Sequence, residues 1–334
     1  MHARAQVWEG GKKFSLVDMP LPEPGPGDVL VRVTTATICG SDRHTVSGRR
    51  QAACPSVLGH EGVGIVVDSR RAGIERGERV VFAVTASCGA CRNCARGLSA
   101  KCAHVLKVGH EPLAGEWPLS GTYATHILLR AGQAIERVPD SLSDAVASTA
   151  GCAVATVMAV LERAGDLKGR TVLVTGVGML GTVALAAARA RGAERIIASD
   201  YRLGERDYLR KLADDLVTPG TPHLVDVALE FSGNASAAEE CVNSLDIGGF
   251  SVLAGTVAPV PSIALDPEWL VRGWRTVTGV HNYEPRHLAE ALNFLDSHGD
   301  SLPWEHILGG PITLEELPAA FADGSGPARV VVQL

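Results

Sequence analysis

One stretch limits the architecture of this chain more than any other. Residues 171–192, TVLVTGVGMLGTVALAAARARG, run from an apolar β segment through Gly176, Gly178 and Gly181 into an Ala-rich helical segment. GxGxxG spacing alone is weak evidence. With a strand before it and a helix after it, it reads as the tight turn that brings a dinucleotide pyrophosphate to a helix N-terminus, where N–H groups and the helix dipole favour negative charge. Asp200 stands nineteen residues past Gly181, at the end of the next apolar run RIIAS. A carboxylate there hydrogen-bonds ribose hydroxyls and repels a 2′-phosphate, which favours NAD over NADP. Arg202 tempers that preference if it offers a phosphate partner, although packing on the adenine or facing solvent is the role more expected of it.

Further β runs, LVDVALE, FSVLAG and RTVTGV, alternate with helical segments up to about residue 283. Such alternation predicts an α/β unit with a doubly wound parallel sheet of the Rossmann type. The first third differs: AQVWEG, FSLVDMP, DVLVRVTTATIC, VGIVVDS and ERVVFAV are short β runs punctuated by Gly and Pro, as in a β-rich, partly barrel-like domain. The expected organisation is therefore 1–145 for the β-rich domain, 146–283 for the dinucleotide-binding domain and 284–334 for a tail returning to the first. One link does not fit the usual pattern. RLGERDYLRKLA reads as a helix and DLVTP as a third strand, yet LVDVALE begins a few residues later, across a link of the four or five residues GTPHL. Those residues reach roughly 17 Å at most, too little to cross three strand spacings of ~14 Å and also climb back along the sheet. The third strand or its crossover helix is expected to be missing or displaced, opening the adenine side and leaving Arg202 to stack there.

At 334 residues with a net charge of −6 and no block of like charges, the chain has no nucleic-acid or anionic-membrane signature, so a small molecule is the expected partner. The N-terminus lacks the basic and continuous apolar regions of a signal peptide, and no apolar run reaches the ~20 residues of a membrane span; a cytoplasmic protein is expected.

Of the eight cysteines, four are clustered and four, Cys39, Cys54, Cys152 and Cys241, are scattered. Cys88, Cys91, Cys94 and Cys102 lie within CGACRNCARGLSAKC, in a lobe of about residues 86–104. Four thiolates at this spacing supply the closed tetrahedral shell of a structural zinc. Cys39 in ICGSDRH and Cys152 in AGCAVAT, taken with His60 in LGHEG, supply two thiolates and one imidazole. That set leaves a fourth position open, as a Lewis-acid zinc requires. Asp42 is placed to orient His60 through its second ring nitrogen, and Glu61 to assist or ligate transiently. Ser41 and His44 offer an exit route for a proton.

These segments resemble the zinc-containing medium-chain dehydrogenase/reductase family, which includes the alcohol dehydrogenases, over essentially the whole chain. The resemblance implies a GroES-like catalytic domain, two zinc ions per chain, NAD as cofactor and a homodimer or homotetramer. It also implies roles: Cys39, His60 and Cys152 as catalytic-zinc ligands, Ser41 as the hydroxyl that takes the alcohol proton, His44 as the relay to solvent, and Thr156 as a nicotinamide contact. The chain departs from the family at Gly40, where a basic residue often binds the pyrophosphate. Arg329, in the terminal run, is the replacement candidate. Arg49 and Arg50, in SGRRQAACPS, are either a solvated basic pair or, if one points inward, a sign of an anionic substrate. The leading expectation is an alcohol dehydrogenase or aldehyde reductase. The alternatives are a polyol- or amino-alcohol-type dehydrogenase, against which Cys152 argues, and a catalytically silent zinc- and nucleotide-binding protein.

Overall fold

The computed structural model describes residues 2–322 and 326–334. By contacts the chain divides into two compact units, one of Met1–Ala155, Glu284–Asp296 and Trp304–Leu334, the other of Thr156–Tyr283 and Ser297–Pro303. The division falls ten residues beyond the change of sequence character at 145. The reason is that the helix Asp144–Ser148 packs on strands Val29–Ile38 and Gly62–Ser69, and the turn Thr149–Gly151 on Arg79–Ala86.

In the first unit, His2–Trp8 pairs antiparallel with Phe14–Pro20 and Ser56–Val57 in a small sheet. A larger sheet runs in the order Leu308–Thr313, Arg329–Gln333, Val29–Ile38, Gly62–Ser69, Arg79–Ala86, Leu106–Lys107, with His126–Leu129 and Gln133–Arg137 added off this path. The alternating apolar residues of Val29–Ile38 and Arg79–Ala86 build a core with Trp117, whose indole N–H donates to the Leu128 carbonyl at 2.7 Å. The chain's last strand pairs with Val29–Ile38, Val330 opposite Ile38, which carries Arg329 to the strand end beside the first metal-ligand candidate.

The second unit holds a six-stranded parallel sheet, ordered Asp215–Val217, Arg195–Ser199, Thr171–Thr175, Val225–Glu230, Leu245–Leu253, Thr276–Gly279. The third strand is present but only three residues long. The expected helix before it is replaced by two 3₁₀ turns, Leu203–Glu205 and Asp207–Lys211. No helix joins the third strand to the fourth, as the chain-length argument requires. The connection nonetheless closes, because residues 218–224 are longer than GTPHL and reach about 26–29 Å. By register Val217 lies level with Glu230, so the link climbs five residues, ~16 Å, while crossing ~14 Å, a diagonal of roughly 22 Å. Shortening the third strand and stretching its connection keeps the sheet regular without a crossover helix.

Candidate metal and cofactor sites

Both thiolate groups found in the sequence come together. The ligand atoms of Cys39, His60, Glu61 and Cys152 all lie within 4.8 Å of one another, as do the four sulfurs of Cys88, Cys91, Cys94 and Cys102.

Local structure explains the first set. Cys39 is the N-cap of the helix Gly40–Val46, and Asp42 at the third position reaches back so that its Oδ2 accepts the Cys39 N–H at 2.9 Å. The same carboxylate accepts the Tyr123 hydroxyl at 2.8 Å and contacts His60 Nδ1 at 3.1 Å through Oδ1. With Nδ1 engaged, Nε2 is the nitrogen left to bind a metal. Ser41 Oγ lies 3.1 Å from that Nε2. Burial would raise the Asp42 pKa, but the His60 charge and hydrogen bond outweigh it and hold Asp42 below the usual carboxylate range. Reciprocally, burial works against a charged His60, and Asp42 overcomes it. The hydrogen bond from the Cys152 thiol holds the Cys39 sulfur well below the ordinary thiol range against its burial, with Arg329 and His60 adding to the effect. Donation of that bond, together with burial, pushes Cys152 up. Two soft sulfurs, one already inclined to thiolate, and an oriented imidazole fit zinc.

Arg329 is not where a cofactor phosphate was expected to find it. It is 3% exposed, and its Nε and Nη2 donate to both oxygens of the fully buried Glu61 at 2.7 and 2.9 Å. Thr37 Oγ1 donates to the same carboxylate at 2.6 Å. The physical reason is charge: a carboxylate buried beside two sulfurs is costly without a counter-ion, and a bidentate guanidinium is the best fit for it. Burial still raises the Glu61 pKa, with Arg329 opposing. The pair restrains Glu61 at the edge of the ligand set.

In the cysteine lobe, sulfurs stand 3.5 Å (Cys91–Cys94), 3.4 Å (Cys88–Cys102) and 3.9 Å (Cys91–Cys102) apart. A tetrahedron with zinc–sulfur bonds of ~2.3 Å has edges of about 3.8 Å, so the spacing fits one zinc. Backbone N–H groups of Cys94 and Ala103 lower the Cys91 thiol to about 6. Desolvation and neighbouring sulfurs push Cys94 up to about 12. The lobe is tied down by Glu284, whose carboxylate accepts the Ser99 and Ala100 N–H groups at 3.0 Å each.

His44 is exposed, three residues beyond Ser41 and so on the same helix face. Its pKa is lowered by partial burial and then by the charge of Arg49. Arg49 is exposed and Arg50 half-buried, its backbone N–H bonded to the His44 carbonyl at 3.0 Å. Sequence reasoning missed Tyr123, in the bend before His126–Leu129, and Thr37, in Val29–Ile38, which orient Asp42 and Glu61 from positions distant in the chain and carry no local signal. It also missed His110, whose ring centroid lies 5.8 Å from that of His60. A signal for His110 existed, since residues 109–111 repeat the Gly-His-Glu of 59–61.

In the second unit, each glycine of the fingerprint has a separate steric reason. Gly176 has φ +78°, and a Cβ there would meet the Ser232 backbone nitrogen at 2.5 Å. A Cβ on Gly181 would lie 2.3 Å from the Gly176 carbonyl. At Gly178, the N-cap of the helix Met179–Ala190, a Cβ would meet nothing within 4 Å, leaving the approach to the helix N-terminus open, as a pyrophosphate requires. The buried Glu230 at the end of the fourth strand fastens the neighbouring loops by accepting the Gly233 and Gly255 N–H groups at 2.6 and 3.1 Å. Asp200 accepts the Val177 N–H at 3.0 Å and the Arg202 N–H at 2.9 Å. The side chain that closes on it is Arg206, which donates to the Val177 carbonyl at 2.6 Å and to Asp200 at 3.3 Å. Arg202 itself is exposed, facing solvent. Thr156 lies half-buried in the helix Ala153–Ala164, four residues past Cys152.

An open Cys–His–Cys set with an oriented imidazole, in a chain that also carries a dinucleotide cradle, is the equipment of a zinc-dependent dehydrogenase. Comparison with known proteins agrees. Residues 25–140 match the family described as alcohol dehydrogenase GroES-like domain, and residues 179–297 the family described as zinc-binding dehydrogenase. An L-threonine 3-dehydrogenase of Deinococcus deserti is 32% identical over 84% of this chain and 82% of its own length. Among solved structures, an alcohol dehydrogenase of Thermotoga maritima superposes with a TM-score of 0.91 at 23% identity, covering 100% of this chain and 99% of that one. A Sinorhizobium meliloti protein solved bound to NADP gives 0.87 at 24% identity with 100% of both chains covered. This chain belongs to the zinc-containing medium-chain dehydrogenase/reductase family.

Proposed function

We propose that the protein is an alcohol dehydrogenase or carbonyl reductase that holds two zinc ions and exchanges a hydride between a small alcohol or carbonyl substrate and NAD(H). The observation that carries this reading is the Ser41 hydroxyl 3.1 Å from Nε2 of His60, within a set of two cysteines and one histidine whose fourth neighbour, Glu61, is held by Arg329. Cys39, His60 and Cys152 would hold the catalytic zinc, and Cys88, Cys91, Cys94 and Cys102 the structural one. When bound, the zinc supplies Lewis acidity at the substrate oxygen and the nicotinamide accepts or returns the hydride. Ser41 Oγ accepts the proton of the substrate hydroxyl in oxidation and returns it in reduction. His44, exposed one helical turn on, exchanges that proton with solvent. Asp42 and Tyr123 keep the imidazole of His60 in its tautomer and orientation. Asp200 supports the NAD preference, moderated by the Arg206 charge beside it. The name of the curated relative favours a second substrate reading, an amino alcohol such as L-threonine.

The test is nicotinamide absorbance with a panel of alcohols, aldehydes and L-threonine, on wild type and Ser41→Ala. Turnover by the wild type with loss of ~100-fold or more in the variant is expected for a group in proton transfer. A variant turning over at the wild-type rate removes Ser41 from the mechanism, and a wild type inert with every member of the panel removes the dehydrogenase reading.

A further inference from the structure

The connection that closes the parallel sheet without a crossover helix leaves space beside it. Residues 218–224 run as an extended link where a helix would otherwise pack, and between this link and the helix Ala235–Asn243 lies a cavity of about 660 Å³. That is the size of a small-molecule site, roughly 300–1,000 Å³. Every residue lining it belongs to the second unit. Tyr201, Pro222 and Leu224 supply apolar wall, and Tyr201 and Leu224 are exposed. The remaining lining is polar, with His223 on the link and Glu239 and Glu240 on the helix. Glu240 is fastened by Ser199, at the end of Arg195–Ser199, whose hydroxyl donates to Oε1 at 2.8 Å. Its second oxygen, Oε2, is buried without a hydrogen-bond partner, and so is Nε2 of His223, so these two atoms do not bond to each other. Burial raises the Glu240 pKa, and the Ser199 hydroxyl, the Gly220 N–H and the charge of His223 do not offset it. Buried polar atoms left unpaired are costly, and in a folded protein they call for a partner supplied from outside the chain. The sign of that partner follows from the lining, which holds two carboxylates and, among the described residues, neither Lys nor Arg.

We propose that this cavity binds a small organic amine in its ammonium form. An ammonium carries three N–H donors and no acceptor, so one group can serve both Glu240 Oε2 and His223 Nε2. Its carbon body replaces water against Tyr201, Pro222 and Leu224, and the tyrosine ring adds an aromatic partner for the positive charge. A carboxylate or phosphate ligand would be repelled by Glu239 and Glu240, and an apolar one would leave both buried atoms unpaired. Tyr201 directly follows Asp200, so the cavity adjoins the carboxylate assigned to the cofactor ribose without including it. The proposal stands apart from the dehydrogenase reading, since no residue of either cysteine set takes part in it.

The experiment is calorimetry on the full-length zinc-loaded protein without cofactor, using 2-phenylethylamine, the neutral 2-phenylacetamide and AMP as probes. Three proteins are compared: wild type, Glu240→Gln, which keeps an acceptor for Ser199, and Leu224→Trp, which narrows the cavity from an exposed position. Wild type is expected to bind one amine per chain, at least tenfold tighter than the amide, and each variant to weaken amine binding at least tenfold. No binding of the amine by wild type, or binding no tighter than that of the amide, overturns the proposal. Amine binding that is equal in all three proteins also overturns it, because the amine then sits elsewhere, as on the catalytic zinc. AMP binding that both variants lose, with no amine bound, overturns it in favour of an extension of the cofactor site. The two substitutions lie on different elements, so a folding failure in one leaves the other to decide.

Discussion

Replacing Arg329 by Met tests whether the buried ion pair, rather than a cofactor contact, is the purpose of that residue. The guanidinium is 3% exposed and makes two hydrogen bonds to Glu61, which is fully buried. The charges of Cys39, Glu61 and Cys152 all favour its protonated form. Met fills much of the volume but leaves the Glu61 carboxylate facing two sulfurs with only Thr37 as a close donor. Removing one member of a buried pair costs ~3–5 kcal/mol, whereas replacing both by neutral groups is often near neutral. The single variant is therefore expected to lose ~3–5 kcal/mol in urea unfolding of the zinc-loaded protein, and Glu61→Gln with Arg329→Met to recover at least ~2 kcal/mol of it, a coupling typical of directly interacting residues. Release of Glu61 also frees a fourth ligand for the catalytic set, so turnover should fall in the single variant and return in part in the double. Equal destabilisation of single and double variants, or a single-variant loss below ~1 kcal/mol, would show that the pair is not the reason Arg329 is there.

Metal analysis of purified protein should give two zinc ions per chain. Cys152→Ser should lose one of them with the fold kept, and Cys94→Ser the other with loss of stability; a single zinc in the wild type refutes the assignment. The ratio of kcat/KM for NAD to that for NADP should exceed ~10, fall in Asp200→Ala through lost repulsion of the 2′-phosphate, and rise in Arg206→Ala through loss of a phosphate partner. A wild-type preference for NADP overturns the reading of Asp200.

What the sequence determined by itself are the features written in local spacing. The GxGxxG turn needs glycines because φ at Gly176 is positive and a side chain at Gly181 would strike the preceding loop, constraints that depend on a few neighbouring residues. The four-cysteine lobe closes within fifteen residues, so its geometry follows from its spacing. The missing crossover helix is also a local quantity, the length of chain between two strands. The first metal set is an intermediate case, since Cys39 and Asp42 form one capping turn while His60 and Cys152 arrive from a separate strand end and helix start.

Tertiary structure alone decided the partners of these groups. Glu61 and Arg329 are 268 residues apart in sequence and meet only because the last strand pairs beside Val29–Ile38. Tyr123 reaches Asp42 across 81 residues. Arg206 closes on Asp200 because its segment forms short 3₁₀ turns instead of the amphipathic helix suggested by its pattern. Whether a buried or half-buried charge is neutralised, and by what, depends on which strands lie side by side. Pairing between strands distant in the chain leaves no mark in the spacing of either one.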